Sequence, residues 1–225
     1  MVNKPRRRKQ EGHSRTYLVL GIILVLVAAS VSYAYAVGFG PFNRQPTSTT
    51  ATESVLYARI NTTLGSFEVE LFNSAAPKTV ANFVNLVNSG FYTNLTWHRI
   101  EKNFVIQTGD PTTKNGGGNR STWGEGTSGT QIPFENTSYN NYAGYLAMAS
   151  TAPGVGGTSQ FFINLINNTN LDGNYAVFGK VIGNGMNVVD AIGNVPTEPV
   201  VVGGTTTDEP TTPVLISSIT MVNQP

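Results

Sequence analysis

The spacing of apolar residues predicts a domain built mainly of short β-strands. In residues 66–71 (SFEVEL) apolar and acidic side chains alternate, which is the pattern of a strand with one buried face. Leu64 and Gly65 separate this strand from another at 57–62, so we expect a hairpin. Further strand-like runs lie at residues 97–100, 104–108, 144–148, 160–164, 176–182 and 214–221.

Two stretches have helical rather than strand spacing. Between Pro77 and Gly90, apolar residues recur at positions i, i+3, i+4 and i+7, counted from Val80, which predicts an amphipathic helix that begins with proline and stops at glycine. A second, shorter helix is expected at residues 185–192. About eight strands and two helices predict a mainly β fold. We expect a closed eight-stranded antiparallel barrel, which leaves no exposed edge, capped by the helices.

The N-terminal region has the pattern of a membrane anchor. Residues 17–39 contain no formal charge, and a helix of that length would be about 35 Å long, enough to cross a bilayer. Residues 1–16 are strongly basic, which predicts a cytoplasmic tail and an extracytoplasmic C-terminal domain. Residues 40–54 have the Pro, Thr and Ser content of a linker, so we place the folded domain at residues 55–225.

A cleaved signal peptide is the alternative interpretation of the same segment. Ala34-Tyr35-Ala36 resembles a signal-peptidase site, and cleavage near Ala36 would release a secreted domain. The anchor is favoured because the apolar stretch exceeds the usual ~7–15-residue core of a signal peptide. Both interpretations place the domain outside the cell membrane.

Composition excludes several kinds of chemistry. The 225-residue chain has no cysteine and two histidines, His13 and His98, so it has no thiol nucleophile, no disulfide and no Cys/His zinc site. We expect no metal or cofactor. Nucleic acid is not expected as a partner, because the basic cluster lies in the tail and the remaining chain is mildly acidic. A binding module remains possible, as does an enzyme that transfers no proton and forms no covalent intermediate.

Several sequence blocks together resemble one family. Residues 97–100 (WHRI) and 103–110 (NFVIQTGD) are similar to the central motif of the cyclophilins, the cyclosporin-binding peptidyl-prolyl cis-trans isomerases. The other matching blocks occur in the family's order and are 77–83 (PKTVANF), 146–149 (LAMA), 158–163 (TSQFFI), 171–173 (LDG) and 177–179 (VFG). The resemblance implies the eight-stranded barrel expected above, with a substrate groove on its outer face.

The resemblance also implies an activity and a set of site residues. The activity is cis-trans isomerisation of X-Pro bonds in polypeptides, here in proteins folding outside the membrane, and we expect a monomer. Arg99 matches the family's hydrogen-bond donor, assisted by Gln107 and Phe104. The matching substrate-binding positions are His98, Val105, Ala149, Ser150, Phe162, Asn170, Leu171 and Tyr175. Strand alternation independently predicts that Phe161 and Phe162 face opposite sides of the sheet, and we place His98 at the groove wall.

The chain departs from animal cyclophilins at three groove positions. Asn170 stands where they have tryptophan, Val105 where they have methionine, and Tyr175 where they have histidine. Loss of the indole predicts weak binding of cyclosporin, whereas Arg99 and the apolar slot for proline are retained. The alternative function is a proline-binding or chaperone module that keeps the groove but has no catalytic turnover.

Overall fold

The computed structural model describes residues 55–223. The predicted tail (1–16), membrane span (17–39) and linker (40–54) lie outside the described residues. Within residues 55–223, no helix is both long enough and apolar enough to span a bilayer.

Strands predominate in the described part of the chain. The ten strands there are β1 (Leu56–Thr62), β2 (Gly65–Leu71), β3 (Arg99–Glu101), β4 (Val105–Thr108), β5 (Tyr145–Met148), β6 (Phe161–Asn164), β7 (Val177–Ile182), β8 (Thr197–Val202), β9 (Thr205–Pro210) and β10 (Ile216–Val222). Its two α-helices are α1 (Pro77–Asn88) and α2 (Met186–Gly193). Short 3₁₀ segments lie at Pro111–Gly116, which is kinked at Lys114 and Asn115, and at Arg120–Thr122 and Thr169–Leu171. Both predicted helices and the β1–β2 hairpin are therefore confirmed.

Eight of the strands form one curled antiparallel sheet in the order β10-β1-β2-β7-β5-β6-β4-β3. The predicted closure of this barrel is wrong, because β3 and β10 remain the two edges. The residues just before each of them meet at one isolated bridge, Thr96 to Leu215. Backbone hydrogen bonds flank this bridge, including one from the Trp97 amide to the Val214 carbonyl and one from the Ile216 amide to the Leu95 carbonyl. The physical reason is the shortness of β3, which spans three residues and leaves little strand to pair.

The concave side of the sheet holds the main core. Val80, Phe83 and Val87 on one side of α1 are buried, and Phe83 packs edge-on against Phe161 with ring centroids 5.6 Å apart. Glu135 caps the start of α1, since its carboxylate accepts hydrogen bonds from the Lys78 and Thr79 amides. Long-range packing therefore fixes both the position and the first turn of the helix.

A second hairpin, β8–β9, lies apart from the main sheet and was not predicted. Its two strands are antiparallel, and their register runs from Thr197 opposite Pro210 to Val202 opposite Thr205 beside the turn. Arg120 fixes the hairpin by donating from Nε to the buried Glu209 carboxylate at 2.9 Å and from Nη2 to the Pro210 carbonyl at 2.9 Å. β9 packs beside β3, the edge strand that carries Arg99.

Candidate active site

The convex face of the sheet places the predicted site residues in one row across four strands. Arg99 on β3 pairs with Gln107 on β4, Gln107 with Phe162 on β6, and Phe162 with Ala147 on β5. Directly paired residues in an antiparallel sheet project to the same face. The strand register therefore aligns a guanidinium, an amide and an aromatic ring that are distant in sequence. We call these four paired residues, Arg99, Gln107, Phe162 and Ala147, the Arg99 row.

Arg99 is held on this face from several sides. Its Nη1 donates to Gln107 Oε1 at 3.1 Å, and its guanidinium carbon lies 5.7 Å from the centroid of the Phe104 ring. Nε and Nη2 donate to Glu101 Oε1 at 2.9 and 2.7 Å. The side chain is 30% exposed, so the guanidinium is oriented by its neighbours and still reaches the surface.

Gln107 is itself oriented by a second amide. Its Nε2 donates to Gln160 Oε1 at 2.9 Å, and Gln160 Nε2 donates to the Gly124 and Gly126 carbonyls at 2.8 and 2.7 Å. This relay fixes which Gln107 atom faces Arg99, because the amide oxygen accepts while the nitrogen is occupied. The loop at 124–126 thus contributes to the orientation of Arg99.

An apolar cluster adjoins this row, and we call it the outer cluster. Its buried members are Phe72, Val105, Ala147, Phe162 and Val177, and the partly buried side chains packed against it include Phe104, Ala149, Leu171 and Tyr175. Tyr175 meets Phe162 edge-on at 5.5 Å. Phe161 instead belongs to the main core, which confirms the prediction that the two phenylalanines face opposite sides.

A buried asparagine joins two chain segments that border the outer cluster. Asn168 Nδ2 donates to the Phe104 carbonyl at 2.9 Å and to Asn164 Oδ1 at 2.9 Å, and the Asn168 carbonyl accepts from the Leu171 amide. Asn168 is 3% exposed. The relative positions of Phe104 and Leu171 therefore depend on a hydrogen-bonded network rather than on apolar packing alone.

The other three predicted site residues have different surroundings. His98 is buried, with its ring against Gly124 on the inner side of the loop, so it offers no surface to the groove. Burial lowers the pKa of His98 to about 4, although the nearby Asp110 carboxylate opposes the shift. The Ser150 hydroxyl donates to the Ala152 carbonyl in its own loop, and Asn170 is exposed.

Sequence reasoning missed Glu101 and Gln160 as neighbours of the site. A signal for Glu101 existed, because residues i and i+2 of a strand share a face and Glu101 follows Arg99 by two. Gln160 lies in the TSQFFI block, but its link to Gln107 depends on the β4–β6 register. That register is a long-range property and left no local signal.

A cleft lies away from this row. It has a volume of about 640 Å³ and is lined by residues that include Arg59, Glu68, Ile182 and Gly185. Its arginine and carboxylate are hydrogen-bonded to each other, which leaves little polar chemistry directed at a ligand. The Arg99 row, by contrast, combines an oriented donor with apolar side chains.

Comparison with known proteins identifies the family. Residues 57–221 match the family model for cyclophilin-type peptidyl-prolyl cis-trans isomerases. The chain belongs to this family. Among curated relatives, a peptidyl-prolyl cis-trans isomerase-like 1 of Emericella nidulans is 43% identical over 141 residues, covering 61% of this chain and 81% of the relative. A peptidyl-prolyl cis-trans isomerase of the bacterium Acinetobacter baylyi is 43% identical over 146 residues, covering 61% and 72%.

Solved cyclophilin structures agree with the fold. A crystal structure of a Cryptosporidium parvum cyclophilin-type isomerase has a TM-score of 0.65 at 30% identity, covering 76% of this chain and 99% of that one. A second structure of that isomerase, determined in the presence of the dipeptide Ala-Pro, has a TM-score of 0.64 at 31% identity, covering 75% of this chain and 99% of the other. The chain is therefore a cyclophilin-type isomerase, and its residues 55–223 form an eight-stranded, open, curled sheet with two α-helices.

Proposed function

We propose that the isomerase activity of this cyclophilin resides in the Arg99 row and the adjoining outer cluster. The observation that carries the proposal is the Arg99 guanidinium, held over the Phe104 ring and hydrogen-bonded to Gln107. Rotation about an X-Pro bond breaks amide resonance and crosses a barrier of ~18–20 kcal/mol. No atom is transferred, so the reaction requires neither a nucleophile nor a proton donor.

Arg99 would act by stabilising the twisted transition state. The planar amide nitrogen has its lone pair in conjugation, whereas the twisted, pyramidal nitrogen has a free lone pair that accepts a hydrogen bond. A donor fixed in that direction binds the transition state better than the ground state, which is the condition for catalysis. A charged hydrogen bond of about 1.5–3 kcal/mol would contribute a factor of about 10–150 to the rate.

The remaining residues would bind the substrate. Phe104, Val105, Phe162 and Leu171 form an apolar surface for the proline ring, with Ala149 and Tyr175 at its rim. Gln107 would orient Arg99 and contact the substrate carbonyl. His98, Ser150 and Asn170 keep the substrate-binding roles implied by family resemblance as predictions.

The test of Arg99 is its substitution in the intact chain. Arg99→Ala should lower kcat/KM for a proline peptide by about 10–150-fold, measured by the decay of its cis isomer. Arg59→Ala is the matched control, because Arg59 is another strand arginine paired with one glutamate, and it should retain the wild-type rate. Equal rates for Arg99→Ala and wild type would refute the role of Arg99.

A non-catalytic proline-binding module is the competing proposal. The polar relay that orients Arg99 favours catalysis, because binding of a proline ring needs only the apolar surface. This relay runs from the loop at 124–126 through Gln160 and Gln107 to Arg99. Peptide binding without any acceleration by the wild-type protein would support the module.

The cellular setting extends this proposal. The apolar segment 17–39 after a basic tail supports a single-pass membrane protein whose isomerase domain acts as a monomer on proteins folding outside the membrane. Labelling of intact cells with a membrane-impermeant reagent should modify lysines of the 55–225 domain and spare Lys4 and Lys9. The reverse pattern would refute this topology, and a mature chain starting after Ala36 would support the secreted form.

A further inference from the structure

The edge of the Arg99 guanidinium opposite Gln107 is bound by a residue with no assigned role. Glu101 Oε1 accepts from Nε at 2.9 Å and from Nη2 at 2.7 Å. The two residues share a face because they stand two apart in β3. The carboxylate thus belongs to the same surface as the donor proposed to act on the substrate.

The hydrogen bonds around Arg99 leave a defined part of it free. A guanidinium has five N–H donors in a rigid plane. Glu101 engages the Nε proton and one on Nη2, and Gln107 engages one on Nη1. The hydrogen bonds within residues 55–223 leave one proton on each terminal nitrogen, so the orientation of the plane decides where those protons point.

Gln107 alone does not fix that plane. One hydrogen bond to Nη1 leaves the guanidinium free to pivot, and a long arginine side chain has many rotamers. The added double contact from Glu101 holds the Nε edge, and the Phe104 ring supports one face. Together the three contacts define the direction of the free donors.

The negative charge of Glu101 has an opposing effect on Arg99, because it weakens the guanidinium as a donor. The acceptor in the twisted substrate is an uncharged nitrogen lone pair. Interaction with such an acceptor depends strongly on hydrogen-bond direction and less on net charge. Orientation therefore outweighs the loss of donor strength.

We propose that Glu101 is a positioning residue that aims Arg99 at the prolyl nitrogen. The inference rests on the catalytic role proposed for Arg99. It applies to this chain's own β3 sequence, in which the outward residue after Arg99 is a glutamate. The Arg59–Glu68 pair on β1 and β2 has the same chemistry but lies outside the Arg99 row, so it provides an internal comparison.

The experiment compares Glu101→Val, Glu101→Gln and Glu68→Val in the intact chain. Valine suits a strand and removes both contacts, so Glu101→Val should lower kcat about fivefold, the scale of a half-exposed ion pair, with KM within twofold of wild type. Glutamine keeps an acceptor oxygen at the same distance from the backbone, so Glu101→Gln should have a kcat close to wild type and well above that of Glu101→Val. Glu68→Val should leave both constants unchanged.

The same substitution in a chain that lacks Arg99 distinguishes positioning of Arg99 from a general structural effect of Glu101. In an Arg99→Ala chain, Glu101→Val should cause no further loss, because there is no guanidinium left to aim. Wild-type kcat in Glu101→Val, together with a strong loss in Arg99→Ala, would overturn this inference and leave the role of Arg99 intact. An equal fivefold loss with and without Arg99 would also overturn it, whereas an active Arg99→Ala chain would refute the proposed function itself.

Discussion

Adjacent residues His98 and Arg99 have opposite environments. Arg99 lies on the convex face with 30% of its side chain exposed, whereas His98 is 2% exposed. Alternation of an extended chain makes neighbouring side chains point in opposite directions, but it does not say which of the two is buried. The burial of His98 was not predictable, because it depends on Gly124, which arrives from a distant loop and packs against the ring.

The buried histidine predicts a pH-dependent stability. Its pKa in the folded protein is about 4, below the ordinary value of about 6.5. Between these values the unfolded chain binds a proton that the folded chain does not, so the free energy of unfolding falls as the pH drops from about 6.5 to 4, by up to about 3 kcal/mol. Urea unfolding of wild type and His98→Gln at pH 7, 5.5 and 4 tests this.

The variant isolates His98 from the carboxylates that titrate in the same range. The free energy of unfolding of His98→Gln should decrease less over this interval than that of the wild type. Parallel pH profiles for the two proteins would show that His98 does not titrate with a lowered pKa.

At the scale of single elements, strand periodicity predicted the buried face of β2 and the opposite orientation of Phe161 and Phe162 in β6, because alternation is a local property. Which of the two phenylalanines faces outward was implied by the family resemblance. The β8–β9 hairpin was missed although Gly203-Gly204 is a two-residue turn signal. Its strands contain Pro199 and lack clean alternation, and Arg120, which fixes the hairpin, comes from another loop. Long-range ion pairs of this kind have no signature in local sequence.

The alternation in β6 predicts different outcomes for two neighbouring substitutions. Phe161→Ala removes a fully buried core ring and should lower the free energy of unfolding by about 3–5 kcal/mol. Phe162→Ala should be less destabilising, because Phe162 lies in the smaller outer cluster, but it should raise KM for proline peptides. Denaturant unfolding and steady-state kinetics on both variants measure the contrast, and a KM increase for Phe161→Ala alone would contradict the assigned faces.

At the scale of the whole molecule, the order of elements apart from the β8–β9 hairpin could be predicted, but closure of the sheet could not. Family resemblance and strand count indicated a barrel, whereas β3 and β10 do not pair and only the residues before them meet, at the bridge between Thr96 and Leu215. Closure depends on how many residues of the two edge strands pair, and β3 is too short to continue the ladder. The β8–β9 hairpin packs beside this edge strand and is joined to the 3₁₀ turn at 120–122 through Arg120.

Arg120 is therefore expected to stabilise the molecule more than a typical surface arginine. Its partner Glu209 is 1% exposed, and breaking such a pair leaves a buried charge. Arg120→Met should lower the free energy of unfolding by about 3 kcal/mol. Arg59→Met, which breaks the exposed pair with Glu68, should cost less than about 1 kcal/mol. Similar urea midpoints for both variants would contradict this account.

The most direct test of the central claim measures binding and rotation in one experiment. NMR exchange spectroscopy on an Ala-Pro peptide gives its affinity for the protein and the cis-trans exchange rate of the bound peptide. We predict that Arg99→Ala binds the peptide within a few-fold of wild type while bound exchange slows by at least tenfold. Wild-type exchange in the bound state of Arg99→Ala would contradict the claim that this guanidinium stabilises the rotating bond.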